Sequence, residues 1–222
     1  MMRHIIFDTG RSRSLPRDHA LRKSAAKNIK SADVVIAIGS RVGKHASSLP
    51  RWKDKTAVLL ELGTECLGIY TGESRGEEGS NVLGFARFRL GNSEPSDLIE
   101  LVRQPRTRVA AIAAAKQVFE EAGLQVAVCG DFAGRIIDRL VRPYYNSALR
   151  RLDEGLASAD DLDTTLRLGL GYPEGPIALL DRTGLAHHYD VTQALFEAYG
   201  DAAYAPARRA RVAKQRSAAK KK

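Results

Sequence analysis

The sequence has few cysteines and no long hydrophobic run, and each shortage excludes a class of protein. The 222 residues contain two cysteines, Cys66 and Cys129, too few for a disulfide scaffold and without the spacing of a structural zinc site. Because no apolar run approaches the roughly 20 residues of a membrane-spanning helix, we expect no membrane association. The apolar start is interrupted at Asp8, before a signal-peptide core could form. Together these features predict a cytoplasmic protein.

Acidic residues are scarce at both ends of the chain, although the chain as a whole has a globular composition. Hydrophobic residues make up 44% and charged residues 27%, enough apolar material for a core. The net charge of +9 comes from the ends, since residues 208–222 contain eight basic residues and no acidic one, and residues 1–30 contain eight basic and two acidic residues. The middle of the chain is therefore net negative, and we do not expect a nucleic-acid partner, which needs clustered cations on a folded face. We expect residues 208–222 to be a disordered basic tail, with polyanion binding as a weaker alternative.

The first half of the chain alternates apolar runs with turns, as strands do. One amphipathic helix interrupts these runs, over Thr107–Ala122, and a glycine follows it. A strand, helix, strand order is typical of a parallel sheet in an α/β domain. The predicted strands are Met2–Phe7, Asp33–Ile38, Ala57–Leu62, Val82–Phe88, Leu98–Val102 and Gln125–Cys129.

From Gly130 onward the apolar spacing becomes helical. Apolar residues recur at spacings of one, three and four from Ile136 to Leu152, which predicts one long amphipathic helix. Ser158 has the position of a helix N-cap, and Pro176 that of a first helical residue. A last helix is predicted over Leu185–Tyr199. The sequence thus predicts an α/β domain over residues 1–129, an all-α domain over 130–207 and the basic tail.

No local motif identifies a reaction. The run Gly39–Lys44 follows a strand like a phosphate-binding loop, but it is one residue too short between its glycines and lacks the Ser or Thr that binds magnesium. The chain contains no G-x-G-x-x-G fingerprint. His187 and His188 are adjacent on a predicted helix, so their side chains diverge and cannot share a metal; we expect them to be exposed or partly buried.

Three stretches of the second half have a distinctive sequence: Asp131–Ala148, which reads DFAGRIIDRLVRPYYNSA, then Glu154–Asp163 and Arg167–Pro176. Together they resemble the C-terminal domain of 3-hydroxyacyl-CoA dehydrogenases. Upstream, Val82–Leu90 through Leu98–Val102 is similar to the family segment that carries the catalytic histidine and its partner glutamate. The resemblance implies a truncated Rossmann-like parallel-sheet domain followed by a helical dimerisation domain, in a protein of acyl-CoA (fatty-acid) metabolism.

The resemblance also shows where this chain departs from the family pattern. Aligning the family's G-x-H-F-F-N-P on residues 84–90 puts Ala86 at the general-base histidine. Glu100 falls at the glutamate that orients that histidine, and Asp138 at the asparagine of the N-R-L motif. Glu100 and Asp138 are therefore the remaining candidate catalytic residues. Only 32 residues precede Asp33, room for about one βα unit, so we expect a degenerate dinucleotide site.

We therefore predict an oxidoreductase-family protein whose family reaction is the NAD-dependent oxidation of 3-hydroxyacyl-CoA, with little turnover of its own. The alternative is a noncatalytic acyl-CoA-binding or partner subunit. NAD is the cofactor that the family implies, and acyl-CoA the ligand. Arg135, Arg139 and Arg142, spaced by four and three, are predicted to line one helical face, where they are candidates to bind phosphates of the substrate. The alternative is a solvated face whose charge balances Asp131 and Asp138. We expect a homodimer through the helical domain, or association with a complete dehydrogenase.

Overall fold

The computed structural model describes residues 2–44, 51–73 and 80–220, and these form two compact units. The first unit comprises residues 1–88 and 95–135, and the second residues 89–94 and 136–222. The division near residue 135 lies somewhat later in the chain than the predicted end of the α/β domain at residue 129. No helix in the described residues is long and apolar enough to cross a membrane.

The first unit is built on a six-stranded sheet whose strands lie in chain order. All neighbouring strands are parallel except β4 and β5, which are antiparallel. The short connection between these two strands explains the exception, because a parallel crossover needs about a dozen residues or more. The strands are β1 His4–Asp8, β2 Val34–Ile38, β3 Ala57–Glu61, β4 Val82–Arg87, β5 Leu98–Arg103 and β6 Gln125–Gly130.

The central strands are buried on both faces, which accounts for their continuous apolar sequence. Val34 and Ile36 of β2 pack into a core with Phe119, whereas Val35 packs into a second core with Trp52. This alternation follows from the two-residue period of a strand. The first core is completed by α3, Val109–Glu121, which lies within the predicted amphipathic helix. Two further short helices, α1 Ala20–Lys23 and α2 Gly68–Thr71, were not predicted from the sequence.

The second unit is helical, as its periodicity predicted. Ser158 caps its second helix, since its Oγ accepts a hydrogen bond of 3.1 Å from the backbone N–H of Asp161, and Pro176 begins the third helix. The N-terminus of that third helix is capped by Asp163, whose carboxylate accepts from the N–H groups of Ile177 and Ala178. The helices are α4 Ile137–Asp153, α5 Ala159–Leu170, α6 Pro176–Thr183, α7 Leu185–Tyr199 and α8 Arg208–Ala219.

The prediction of a disordered basic tail from residue 208 is wrong for its described part. Residues 208–219 form α8, with Ala210 fully buried. Three ion pairs attach this helix to the rest of the unit. Arg208 and Arg209 pair with Asp153 at 3.6 and 2.7 Å, and Lys214 pairs with Asp190 at 2.6 Å. Like charges repel in an isolated segment, but here carboxylates of α4 and α7 neutralise them and small residues give the helix a face that packs.

Candidate active site

The antiparallel pairing of β4 and β5 places the first candidate catalytic residue. Ala86 lies directly opposite Glu100 in this pairing, and both side chains are buried. Directly opposite residues of an antiparallel pair have Cβ atoms about 4.5–5.5 Å apart. A base at position 86 would therefore be within reach of the Glu100 carboxylate, but the methyl group of alanine cannot accept a proton.

The Glu100 carboxylate faces a buried arginine. Nε of Arg135 lies 3.6 Å from Oε2 of Glu100, and the two side chains are only 4% and 3% exposed. The Arg135 Nη2 group donates to the carbonyl oxygen of Gly63, whereas its Nε and Nη1 groups make no hydrogen bond within the described residues. The arrangement is an ion pair in a nearly dry interior, where Glu100 compensates the charge of Arg135.

Both cysteines lie near this ion pair and are poor nucleophiles. Burial, and after it the charge of Glu100, raises the pKa of Cys129 to about 11. Burial and the nearby Asp131 carboxylate also raise the pKa of Cys66. Because the thiolate is the reactive form of cysteine, neither side chain supplies covalent catalysis at neutral pH.

The second candidate catalytic residue, Asp138, belongs to a buried polar network in the helical unit. Its Oδ1 lies 2.7 Å from Nε of Arg142, four residues along α4. Nη1 of Arg142 lies 3.1 Å from Nδ1 of His188, and Nε2 of His188 lies 3.0 Å from Oδ1 of Asn146. Asp138 thus holds a buried guanidinium, which does not leave it available as a base.

The hydrogen bonds of Asn146 determine the tautomer of His188. Nδ2 of Asn146 donates to Oγ1 of Thr192 and to the carbonyl oxygen of Ala203, so its Oδ1 must face the imidazole. His188 therefore carries its proton on Nε2 and accepts from Arg142 at Nδ1. Burial and the charge of Arg142 lower the pKa of His188 to about 3.

The prediction that His188 would be exposed or partly buried is therefore wrong. The side chain is 1% exposed. The sequence does carry a signal for this burial, because Thr192 and Leu195 follow at helical spacing and are also buried. The three residues mark the inner face of α7.

The three candidate arginines do not line one helical face. Arg135 precedes α4 and has a φ of +53°, in the left-handed region, so its side chain leaves the helical path. Arg142 is buried beside Asp138. Arg139 is exposed, with its guanidinium carbon 4.9 Å from the ring centroid of Tyr199. The spacing suggested one surface, but only Arg139 of these three is exposed to solvent.

A third buried carboxylate besides Glu100 and Asp138, that of Glu61, lies at the carboxyl end of β3 and was not singled out from the sequence. Its Oε1 atom accepts hydrogen bonds from Ser12 Oγ at 2.9 Å, Arg13 N at 2.9 Å and Ser14 N at 2.7 Å. Its Oε2 atom accepts from Gly39 N at 2.7 Å. An acidic residue directly after four buried apolar residues was the available signal, since a carboxylate at such a position needs donors.

The residues at this edge of the sheet do not fit the dinucleotide that the family resemblance implies. A cavity of about 220 Å³ is lined there by Arg11, Arg13, Glu61 and Tyr70, among others, and is smaller than the roughly 300–1,000 Å³ of pockets for drug-sized ligands. The Gly39 amide, first residue of the phosphate-loop-like run, donates to Glu61. Residue 45, where that motif would require Ser or Thr, lies outside the described residues.

Comparison with known proteins identifies the helical unit. Residues 134–222 match the family model described as 3-hydroxyacyl-CoA dehydrogenase, C-terminal domain. A 3-hydroxybutyryl-CoA dehydrogenase of Bradyrhizobium diazoefficiens is 36% identical over 110 residues, covering 50% of this chain and 38% of the relative. One from Mycobacterium tuberculosis is 32% identical over 157 residues, covering 69% of this chain and 53% of the relative. The chain thus spans about a third to a half of the relatives' length.

Solved structures extend the likeness of fold to the sheet. The crystal structure of (S)-3-hydroxybutyryl-CoA dehydrogenase from Ralstonia eutropha superposes with a TM-score of 0.70 at 23% identity, covering 86% of this chain and 67% of that one. The 3-hydroxybutyryl-CoA dehydrogenase of Escherichia coli gives 0.69 at 24% identity, covering 84% and 41%. Both show a shared Rossmann-like fold followed by helices. The helical unit of the chain thus matches the C-terminal domain of 3-hydroxyacyl-CoA dehydrogenases.

Proposed function

We propose that this chain serves acyl-CoA metabolism as a 3-hydroxyacyl-CoA dehydrogenase-family protein that does not itself oxidise a 3-hydroxyacyl-CoA. The observation that carries the proposal is the pairing of Ala86 with Glu100 across β4 and β5. Oxidation of the substrate removes a hydride from carbon and a proton from the hydroxyl oxygen, so a base must take that proton. Absence of a positioned base typically lowers the rate by about 10² to 10⁴.

The two remaining carboxylates do not replace the missing base. Glu100 pairs with Arg135 and Asp138 pairs with Arg142, each inside the protein. If either carboxylate accepted a proton from the substrate, it would become neutral. The buried guanidinium beside it would then lack its counter-charge, which is strongly unfavourable. The proposal therefore favours the alternative raised by the sequence, a noncatalytic acyl-CoA-binding or partner subunit.

Turnover tests this proposal directly. With 3-hydroxybutyryl-CoA and NAD at saturating concentrations, NADH absorbance should stay at background for the wild type and for Ala86→His. No turnover is expected in Ala86→His either, because the residues at the carboxyl edge of β1, β2 and β3 do not fit the dinucleotide. A complete 3-hydroxybutyryl-CoA dehydrogenase in the same assay is the positive control. Clear turnover by the wild type would overturn the proposal, and its loss in a Glu100→Gln variant that circular dichroism shows to be folded would make Glu100 the base.

Acyl-CoA binding through Arg139 is the second part of the proposal. Among the three candidate arginines, its side chain is the exposed one, and a guanidinium pairs well with phosphate. Acetoacetyl-CoA should raise the melting temperature of the wild type, and Arg139→Ala should weaken the apparent affinity about fivefold to tenfold. Arg167→Ala, at an exposed arginine of α5, is the control. Equal affinity of Arg139→Ala and the wild type would exclude this contact.

A homodimer through the helical unit is the partner that we propose, with a complete dehydrogenase as the alternative. None of the residues of α5 is buried, and its Leu168 is 81% exposed. Leu140 of α4 and Leu156 are exposed as well, which is typical of an association surface. Light scattering at micromolar protein should give the mass of a dimer, and Leu168→Asp should shift it toward the monomer. A wild-type mass that stays monomeric across concentrations would refute the homodimer.

A further inference from the structure

The structure holds an anion-binding turn that the chain itself occupies. β1, β2 and β3 are parallel and end near Asp8, Ile38 and Glu61. Ligands of open α/β sheets bind at this carboxyl edge, where backbone N–H groups receive their phosphates. We infer that the carboxylate of Glu61 occupies the anion-binding turn Ser12–Ser14 permanently, in the place of a ligand, and that it thereby excludes the phosphates of a dinucleotide from this edge of the sheet.

The donors around Glu61 have the pattern of an anion nest. The consecutive N–H groups of Arg13 and Ser14 and the hydroxyl of Ser12 all converge on Oε1. Successive backbone N–H groups aimed at one point form a concavity that binds anions such as phosphate. Four donors in all point at the two oxygens of the Glu61 carboxylate, and hydrogen bonds to a carboxylate are about twice as strong as those between neutral groups. The donors that a phosphate oxygen would need are therefore already used.

The backbone also takes the space that a pyrophosphate would need. Gly39 has a φ of +105°, and a Cβ added to it would lie 2.7 Å from the backbone nitrogen of Gly10. The turns after β1 and β2 are thus in close backbone approach. In a dinucleotide-binding turn, glycines allow the ligand to come near. In this chain the glycines allow two of its own segments to meet.

The occupied turn is anchored, so it does not easily swing away from Glu61. The carbonyl oxygen of Ser14 accepts from Nη1 of Arg87 at 2.9 Å, and its hydroxyl accepts from the backbone N–H of Arg87 at 3.2 Å. The next residue, Leu15, is fully buried in the first core. Glu61 therefore sits among donors that are fixed by the neighbouring strand β4 and by hydrophobic packing.

Chemical rescue tests whether Glu61 is an occupant. Glu61→Ala should lower the melting temperature of the sheet unit by about 10 °C or more, because several buried donors lose their acceptor. Formate at 100 mM should raise the melting temperature of this variant by about 3 °C or more by filling the vacated turn. Neither the wild type nor Glu121→Ala, which removes an exposed carboxylate from α3, should respond to formate. A folded Glu61→Ala protein that formate does not stabilise selectively would overturn the inference.

The excluded ligand is tested with the unaltered protein. NADH at 1 mM should leave the melting temperature of the wild type unchanged, and so should inorganic pyrophosphate. Stabilisation of the wild type by NADH that pyrophosphate competes away would contradict the inference even if Glu61→Ala did not fold. If Glu61→Ala does not fold, Glu61→Gln replaces it as the test variant, because glutamine keeps an acceptor oxygen. Glu61→Gln should be folded, and formate should not change its melting temperature. An increase in that melting temperature with formate would count against the inference. Acyl-CoA binding is measured separately, so this inference and the proposed function can fail independently.

Discussion

Acidification from pH 7 to pH 4 should destabilise the helical unit by about 3 kcal/mol through His188 alone. The side chain is buried, and its pKa in the folded protein is about 3 against 6.5 for an ordinary histidine. Between these values the unfolded state binds a proton that the folded state does not, so stability falls as the pH falls from about 6.5 toward 3. Each unit of pKa difference corresponds to about 1.4 kcal/mol.

The replacement His188→Gln isolates this contribution from that of the carboxylates. Glutamine offers an acceptor to Arg142 and a donor to Asn146 but does not titrate in this range. Urea unfolding followed by circular dichroism at 222 nm, between pH 7 and pH 4, gives the free energy of unfolding for both proteins. The wild type should lose about 3 kcal/mol more than the variant over this interval. Parallel pH profiles for the two proteins would show that His188 is not held neutral.

Glu100→Gln should destabilise the sheet unit by about 3–5 kcal/mol, the second large effect. The substitution leaves Arg135 buried without its counter-charge, and this is the range observed when one partner of a buried ion pair is removed. The single tryptophan, Trp52, is buried in this unit, so its fluorescence during urea unfolding reports on the sheet. A role as an activated base would instead predict little effect on stability.

The double variant Glu100→Gln with Arg135→Met distinguishes a charge penalty from lost packing. Removing both charges should recover much of the stability lost in Glu100→Gln, because no uncompensated charge then remains. The surface pair of Arg151 and Glu154 is the control, since both side chains are 55% exposed and Glu154→Gln should change stability by less than about 1 kcal/mol. Equal destabilisation by Glu100→Gln and Glu154→Gln would rule out a buried ion pair at Glu100.

The arrangement of secondary structure was largely predictable from the sequence. Runs such as Val34–Ile38 are apolar at every position because both faces of a central strand are covered, and the helix after Ile136 shows the 3.6-residue period of one buried stripe. The reversed direction of β5 was not predicted, since apolar pattern alone does not give strand direction. The basic α8 was missed because its neutralising carboxylates, Asp153 and Asp190, lie far away in sequence.

The sequence by itself determined the strands, most of the helices, the family resemblance and the alanine at position 86. Only the tertiary structure decided which charges meet. Strand register sets Ala86 opposite Glu100, and a left-handed residue just before α4 turns Arg135 toward Glu100. Glu61 finds three of its four donors in a turn 47 to 49 residues earlier. Periodicity records which side of an element is buried, but the partner of a buried charge depends on register and loop path, which bring residues far apart in sequence into contact.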